Sequence, residues 1–154
     1  MTIKILRLLD ASIAFTGLII FLPIMVFIYI VGIFDTGSPI FFQKRIGKNK
    51  CTFMIVKFRS MRVDALSIDS HLIDTKFITN FGHFLRKYKL DELPQLWNVL
   101  KGEMSIVGPR PCLPIQKKLI IEREKRGVFR VLPGITGLAQ INSIDMSDPI
   151  LLSK

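Results

Sequence analysis

A chain of 154 residues, 49% of them hydrophobic, supports one folded domain with a modest core and is too short for two. Its 22 Lys and Arg against 12 Asp and Glu give a formal charge of +10, which calls for an anionic partner: nucleic acid, an acidic lipid surface or a phosphorylated substrate. The two cysteines, Cys51 and Cys112, lack metal-ligand spacing, which excludes a cysteine-bound metal module and fits reduced thiols facing a cytosol.

The first element is apolar. Ala11 to Phe34 is a run of 24 residues without a charge, bounded by Asp10 and Asp35. As a straight helix it would extend about 36 Å, enough to cross a hydrocarbon core of roughly 30 Å. Pro23 stands at its middle, where it removes a helix hydrogen bond and predicts a kink. Lys4 and Arg7 precede the run and Lys44, Arg45, Lys48 and Lys50 follow it, so both flanks favour the cytoplasmic side. Two topologies stay open on these residues: a spanning helix, and a re-entrant hairpin that turns back at Pro23. The run is long for a signal peptide, and no small-residue cleavage pattern follows it.

Asp35 to Pro39 reads as a turn. Ile40 to Arg45 predicts a strand and Thr52 to Phe58 a second, joined as a hairpin over Gly47-Lys48-Asn49-Lys50. Val63 to Phe77 carries Leu66, Leu72 and Ile73 at helical spacing and predicts a surface helix. The fold class is therefore α/β of the α+β type: a membrane helix over 1–36, then a small cytosolic domain over 37–154 with a short β-hairpin and several helices, some at the membrane interface.

Asp91-Glu92 is the one place where two acids adjoin, and Lys87, Lys89, Lys101 and Arg110 surround it. Asp91 can cap a helix starting at Glu92, with Pro94 harmless in the first turn and Gly102 at the end. Leu93, Leu96, Trp97 and Leu100 then share a face. A cap with a first-turn acid is one reading of the pair. Chemistry on a phosphate attracted to the helix N-terminus is the other, and the two are compatible. Pro114 to Arg126 predicts an amphipathic helix ended by Gly127, with Ile115 and Leu119 on one side and Lys117, Lys118, Arg123, Lys125 and Arg126 largely on the other, fit to lie along a membrane surface.

Three further runs bear on phosphate binding. Lys57 and Arg59 lie two residues apart on one face of the second strand, where Arg can grip a phosphate by a fork and Lys as a point charge. In Gly108-Pro109-Arg110-Pro111 two prolines fix the backbone around one arginine, and either prolyl bond can be cis. Leu132-Pro133-Gly134-Ile135-Thr136-Gly137 reads as a rigid turn whose glycines allow close approach to a ligand.

Together these runs resemble one family, the bacterial sugar transferases, or monotopic phosphoglycosyl transferases. The matching blocks are Pro39 to Gly47, Lys57 to Met61, Phe84 to Lys87, Leu90 to Gly102, Met104 to Pro111, and Pro133 to Gln140, in the family's order over nearly the whole chain. The resemblance implies transfer of a sugar 1-phosphate from a UDP-sugar to undecaprenyl phosphate, with release of UMP. It implies Asp91 as the nucleophile that forms an aspartyl-phosphosugar intermediate, and Asp91 and Glu92 as the holders of Mg²⁺. Lys57, Arg59 and Arg110 would bind substrate phosphates, while Pro23, Pro109, Pro111, Gly137 and Gln140 would shape the site.

The resemblance also favours the re-entrant topology, among membrane lipids of the bacterial inner membrane with the catalytic domain on the cytoplasmic face. The chain departs from the family at Leu22, where a serine often stands, at Asn80, where an arginine often stands, and by ending at Lys154. A truncated, inactive homologue acting as a membrane-bound interaction module is accordingly the alternative. A membrane-tethered nucleic-acid-binding protein would leave the acid pair without a purpose and lacks an aromatic-basic strand motif, so no nucleic acid partner is expected.

Overall fold

The structure is a computed structural model that describes residues 2–64 and 77–137. Its first element, α1 (Thr2–Thr36), is a helix of 35 residues with Pro23 inside it. No turn divides it: residues on both sides of Pro23 are helical, because the fixed φ of proline suits a helix and only one backbone hydrogen bond is lost. Lys4–Thr36 contains an 18-residue stretch with a mean hydropathy of 2.8 and is long and apolar enough to cross a membrane. Phe15, Ile19, Ile20 and Phe27 lie exposed along it.

Both ends of α1 are nevertheless fastened to the rest of the chain. Near the N-terminus Arg7 Nη2 donates to Leu100 O at 2.9 Å, and the Asp10 carboxylate accepts from the Ser105 hydroxyl at 2.7 Å and from the Ile106 N–H at 3.1 Å. At the other end the Asp35 carboxylate accepts from the Thr79 hydroxyl at 2.7 Å. Gly32 permits the chain to turn back closely, since a Cβ there would meet Pro39 Cβ at 2.8 Å.

Between these anchors α1 contributes to two apolar clusters. Ala14 joins Ile55, Leu96, Val99 and Met104, and Ile28 joins Phe58 and Leu85.

The expected hairpin is present. Strands β1 (Ile40–Ile46) and β2 (Thr52–Phe58) pair antiparallel from Ile40 opposite Phe58 to Ile46 opposite Thr52. The tight connection over Lys48–Lys50 places Asn49 and Lys50 at positive φ. The helix expected over 63–77 falls mostly on residues 65–76, outside the described residues.

Helix α2 (Asn80–Lys87) is capped by Thr79, whose hydroxyl accepts from Gly82 N at 2.8 Å. Gly82 packs so closely on Ser60 that a Cβ would lie 1.9 Å from Ser60 O.

Helix α3 (Gln95–Lys101) begins three residues later than expected, with Pro94 in the cap position, and stops at Gly102 in the left-handed conformation. Asp91 therefore does not cap it. The buried face also differs from the expected one. Gln95, Leu96, Asn98 and Val99 point inward, while Trp97 is 54% exposed. The later start rotates the face, and the inward position of Asn98 has a local cause. Its amide accepts from Val56 N at 3.1 Å and donates to Met54 O at 2.7 Å, completing the free edge of β2 as another strand would. It also donates to Glu103 Oε2 at 2.7 Å. Asn98→Leu should lower stability by about 1 to 2 kcal/mol, because two part-buried backbone groups lose their partners; a denaturant midpoint equal to that of the parent would contradict this.

Three elements were not expected, α2 and two short strands. Strands β3 (Ser105–Val107) and β4 (Gly134–Thr136) pair parallel, and their contact at Gly108 and Gly134 admits no side chain: a Cβ on Gly134 would sit 2.1 Å from Gly108 N. The runs read as loops thus form a short sheet at their edges. All described peptide bonds are trans, so neither prolyl bond flanking Arg110 is cis. Helix α4 (Lys117–Lys125) is shorter than the expected Pro114 to Arg126, and it does not keep its basic residues to one solvated face. Arg123 is buried at 5% exposure, while Ile115 and Ile121 are exposed.

Candidate active site

The acid pair sits on a 3-10 turn, Leu90–Glu92, introduced by Lys89 in the left-handed conformation. That reversal after α2 turns the pair inward. Lys57, one residue from the end of β2, and Arg110, in the loop after β3, approach from two other directions. Glu92 Oε1 lies 3.4 Å from Lys57 Nζ and 3.5 Å from Arg110 Nη1. Lys57 and Glu92 are largely covered, with side chains 14% and 11% exposed, whereas Arg110 keeps 35%. Asp91 is 8% exposed, and its buried Oδ1 has no hydrogen-bond partner among the described residues.

The two carboxyls are pushed in opposite directions. Burial raises Asp91 above the usual carboxylate range, with Glu92 adding to the rise and Lys57, Arg86 and Lys89 opposing it. Burial also acts on Glu92, but there the charges of Lys57, Arg110 and Lys89 outweigh it and hold the carboxyl below its ordinary value. Burial lowers Lys57, against the attraction of Glu92. Two carboxyls of unlike environment, side by side in a cationic setting, can divide the work between a nucleophile and a charge-holding partner.

A shallow cleft opens beside Glu92, lined by Arg45, Lys57, Glu92, Gln95, Arg110 and Gly134 among others. The sequence reading did not single out Arg45 or Gln95 for the site. Gln95 is one helical turn beyond Asp91, a spacing that could have drawn attention to it, and its Nε2 is buried without a partner among the described residues. Arg45 was visible only as part of a basic run. Its Nη1 donates to Pro111 O at 3.1 Å.

Arg59 is placed elsewhere. It lies just past β2, and its Nε donates to Ser38 O at 2.8 Å while its guanidinium stands 5.3 Å from the Phe41 ring centroid. Pro111 lines the cleft, Pro109 lines a second cavity beside it, and Gly137 is buried just after β4. Pro23 is exposed on α1, far along the chain from these groups, and Gln140 lies outside the described residues.

The chain thus combines a helix long and apolar enough to cross a bilayer with a cleft that sets the Glu92 carboxylate among two arginines and a lysine. The chain belongs to the bacterial sugar transferase family, whose match covers residues 1–151. It is 43% identical over 137 residues to the uncharacterized sugar transferase EpsL of Bacillus subtilis, covering 88% of this chain and 67% of that one. It is 41% identical over 150 residues to the galactosyl transferase CpsE of Streptococcus agalactiae, covering 88% and 33%. It is also 41% identical over 150 residues to the UDP-glucose:undecaprenyl-phosphate glucose-1-phosphate transferase of Xanthomonas campestris, covering 92% and 31%. The chain thus spans about a third of the length of the latter two relatives.

Proposed function

We propose that this protein moves a sugar 1-phosphate from a UDP-sugar to undecaprenyl phosphate, releasing UMP and starting assembly of a glycan on its lipid carrier. The observation that carries this reading is the Asp91-Glu92 pair facing Lys57 and Arg110 in a chain of this family. The name of the Xanthomonas relative supplies the donor and acceptor classes.

The Asp91 carboxylate attacks the sugar-bearing phosphorus of the donor. An O–P bond forms, the bond from that phosphorus to the bridging oxygen breaks, and UMP departs with the electron pair. A phosphate oxygen of undecaprenyl phosphate then attacks the same phosphorus and frees Asp91, leaving the sugar joined to the lipid through a diphosphate. Lys57 and Arg110 offset the negative charge that would repel the incoming diphosphate, with Arg45 and Gln95 next to them on the cleft wall. The unpartnered Oδ1 of Asp91 and the adjacent Glu92 carboxylate fit Mg²⁺, an ion usually held by one or two carboxylates together with substrate phosphates. When bound, Mg²⁺ would neutralise phosphate charge during transfer.

Location follows from the acceptor. Both ends of α1 are fastened by polar contacts to one folded domain, which supports both ends lying on the same, cytoplasmic face of the inner membrane. In a Cys51→Ser background, single cysteines introduced at Lys4 and Lys48 should be labelled from the same side of sealed vesicles. Labelling from opposite sides would mean a spanning helix.

Purified protein incubated with undecaprenyl phosphate, Mg²⁺ and a panel of UDP-sugars should release UMP with at least one donor. No UMP with any donor would instead favour an inert membrane-bound module.

A further inference from the structure

Pro109-Arg110-Pro111 has only one amide N–H among three residues, because proline has none. The segment is held through its carbonyls, and each is taken by a different element. Pro109 O accepts from Gly134 N on β4 at 3.0 Å, and Pro111 O from Arg45 Nη1 on β1 at 3.1 Å. Between them, Arg110 O accepts from Arg123 Nη1 on α4.

Arg123 is the unexpected member of this set. A buried guanidinium is costly unless its hydrogen bonds are made. Among the described residues no carboxylate pairs with it, and its other polar contact is the Cys112 side chain. On a helix of nine residues rich in solvated Lys and Glu, this long side chain could have reached water. It instead points at the carbonyl of Arg110, one of the two cations that face Glu92. Arg123 lines a second pocket with Gly47, Phe129 and Val131, which shares Arg110 and Pro111 with the cleft.

We propose that Arg123 is a positioning residue, which fixes the backbone of Arg110 so that the Arg110 guanidinium is aimed at Glu92 and at phosphates entering the cleft. This rests on the phosphate-transfer reading above. Arg123 reaches the reaction only through Arg110, and that makes its role separable from a general contribution to folding.

The test compares UMP release by the full chain and its Arg123→Ala, Arg123→Lys, Arg110→Ala and doubly substituted variants. Arg123→Ala should reduce turnover on the order of tenfold to a hundredfold, as misplacement by about 1 Å can. Arg123→Lys should recover part of it, since a lysine retains the charge but not the fork. In the Arg110→Ala background, Arg123→Ala should cost nothing more, because the two act as one unit. Losses that simply multiply would overturn the proposal.

A second measurement needs no turnover. In protein with isotope-labelled arginine, the Arg110 Nε–H resonance, identified by its disappearance in Arg110→Lys, should move or broaden in Arg123→Lys, a change mild enough to keep the fold. An unmoved resonance overturns the proposal. Absence of UMP release by the parent protein would sink the transferase reading alone, and this resonance would still decide the role of Arg123.

Discussion

Asp91→Asn should reduce UMP release by at least about a thousandfold while leaving the protein as stable as its parent or more so. The two halves of this result have one cause. An amide cannot attack phosphorus as the carboxylate does, so no covalent step remains. The carboxylate, however, is held in a place that disfavours its charge, with Oδ1 buried and unpartnered.

Its pKa in the fold is raised, mainly by burial. A group raised in the fold stabilises it below the unfolded pKa and loses that contribution as the pH rises through the folded value, so the penalty grows as the carboxylate ionises. Asparagine fills the same volume without the charge and removes the penalty. A thermal melt gives the sign directly. A dead variant that melts lower than the parent would mean that Asp91 serves the fold instead of chemistry.

Lys57→Met should have the next largest effect, a loss of about a hundredfold or more together with a changed pH profile. Lys57 opposes the raised pKa of Asp91 and helps to depress that of Glu92. Without it Asp91 ionises at higher pH, so the acid limb of the rate profile moves upward. Glu92 has the reverse linkage. Its depressed pKa contributes stability above the unfolded value, lost as the pH falls through the folded one, and that contribution should shrink in Lys57→Met. An unchanged acid limb would show that the titrating group seen in the rate is not Asp91.

Local pattern reached some of this and not the rest. The β1–β2 hairpin was legible because two short strand-like runs, Ile40 to Arg45 and Thr52 to Phe58, flank the turn residues Gly47-Lys48-Asn49-Lys50. The pairing of β3 with β4 was not, since three-residue strands far apart in sequence carry no periodicity of their own. Asp91 looked like a helix cap by residue type, yet Lys89 takes the left-handed conformation and the 3-10 turn intervenes, so the side chain is delivered inward instead.

Two-residue spacing put Lys57 and Arg59 on one face, but Arg59 lies past the strand end, where Ser38 and Phe41 claim it. Arg123 was assigned to the basic side of an amphipathic helix fit to lie along a membrane surface, because spacing and charge alone group it with Lys117, Lys118, Lys125 and Arg126. Its partner, a carbonyl thirteen residues earlier, exists only once the proline segment is folded.

The central claim is that Asp91 carries the sugar phosphate covalently. The direct measurement is mass spectrometry of the protein after exposure to an accepted UDP-sugar and Mg²⁺ with no lipid acceptor present. A sugar phosphate added to the peptide containing Asp91, matched by an equal release of UMP and discharged on adding undecaprenyl phosphate, is the expected result. Release of UMP only when the acceptor is present, with no added mass on that peptide, would contradict the account.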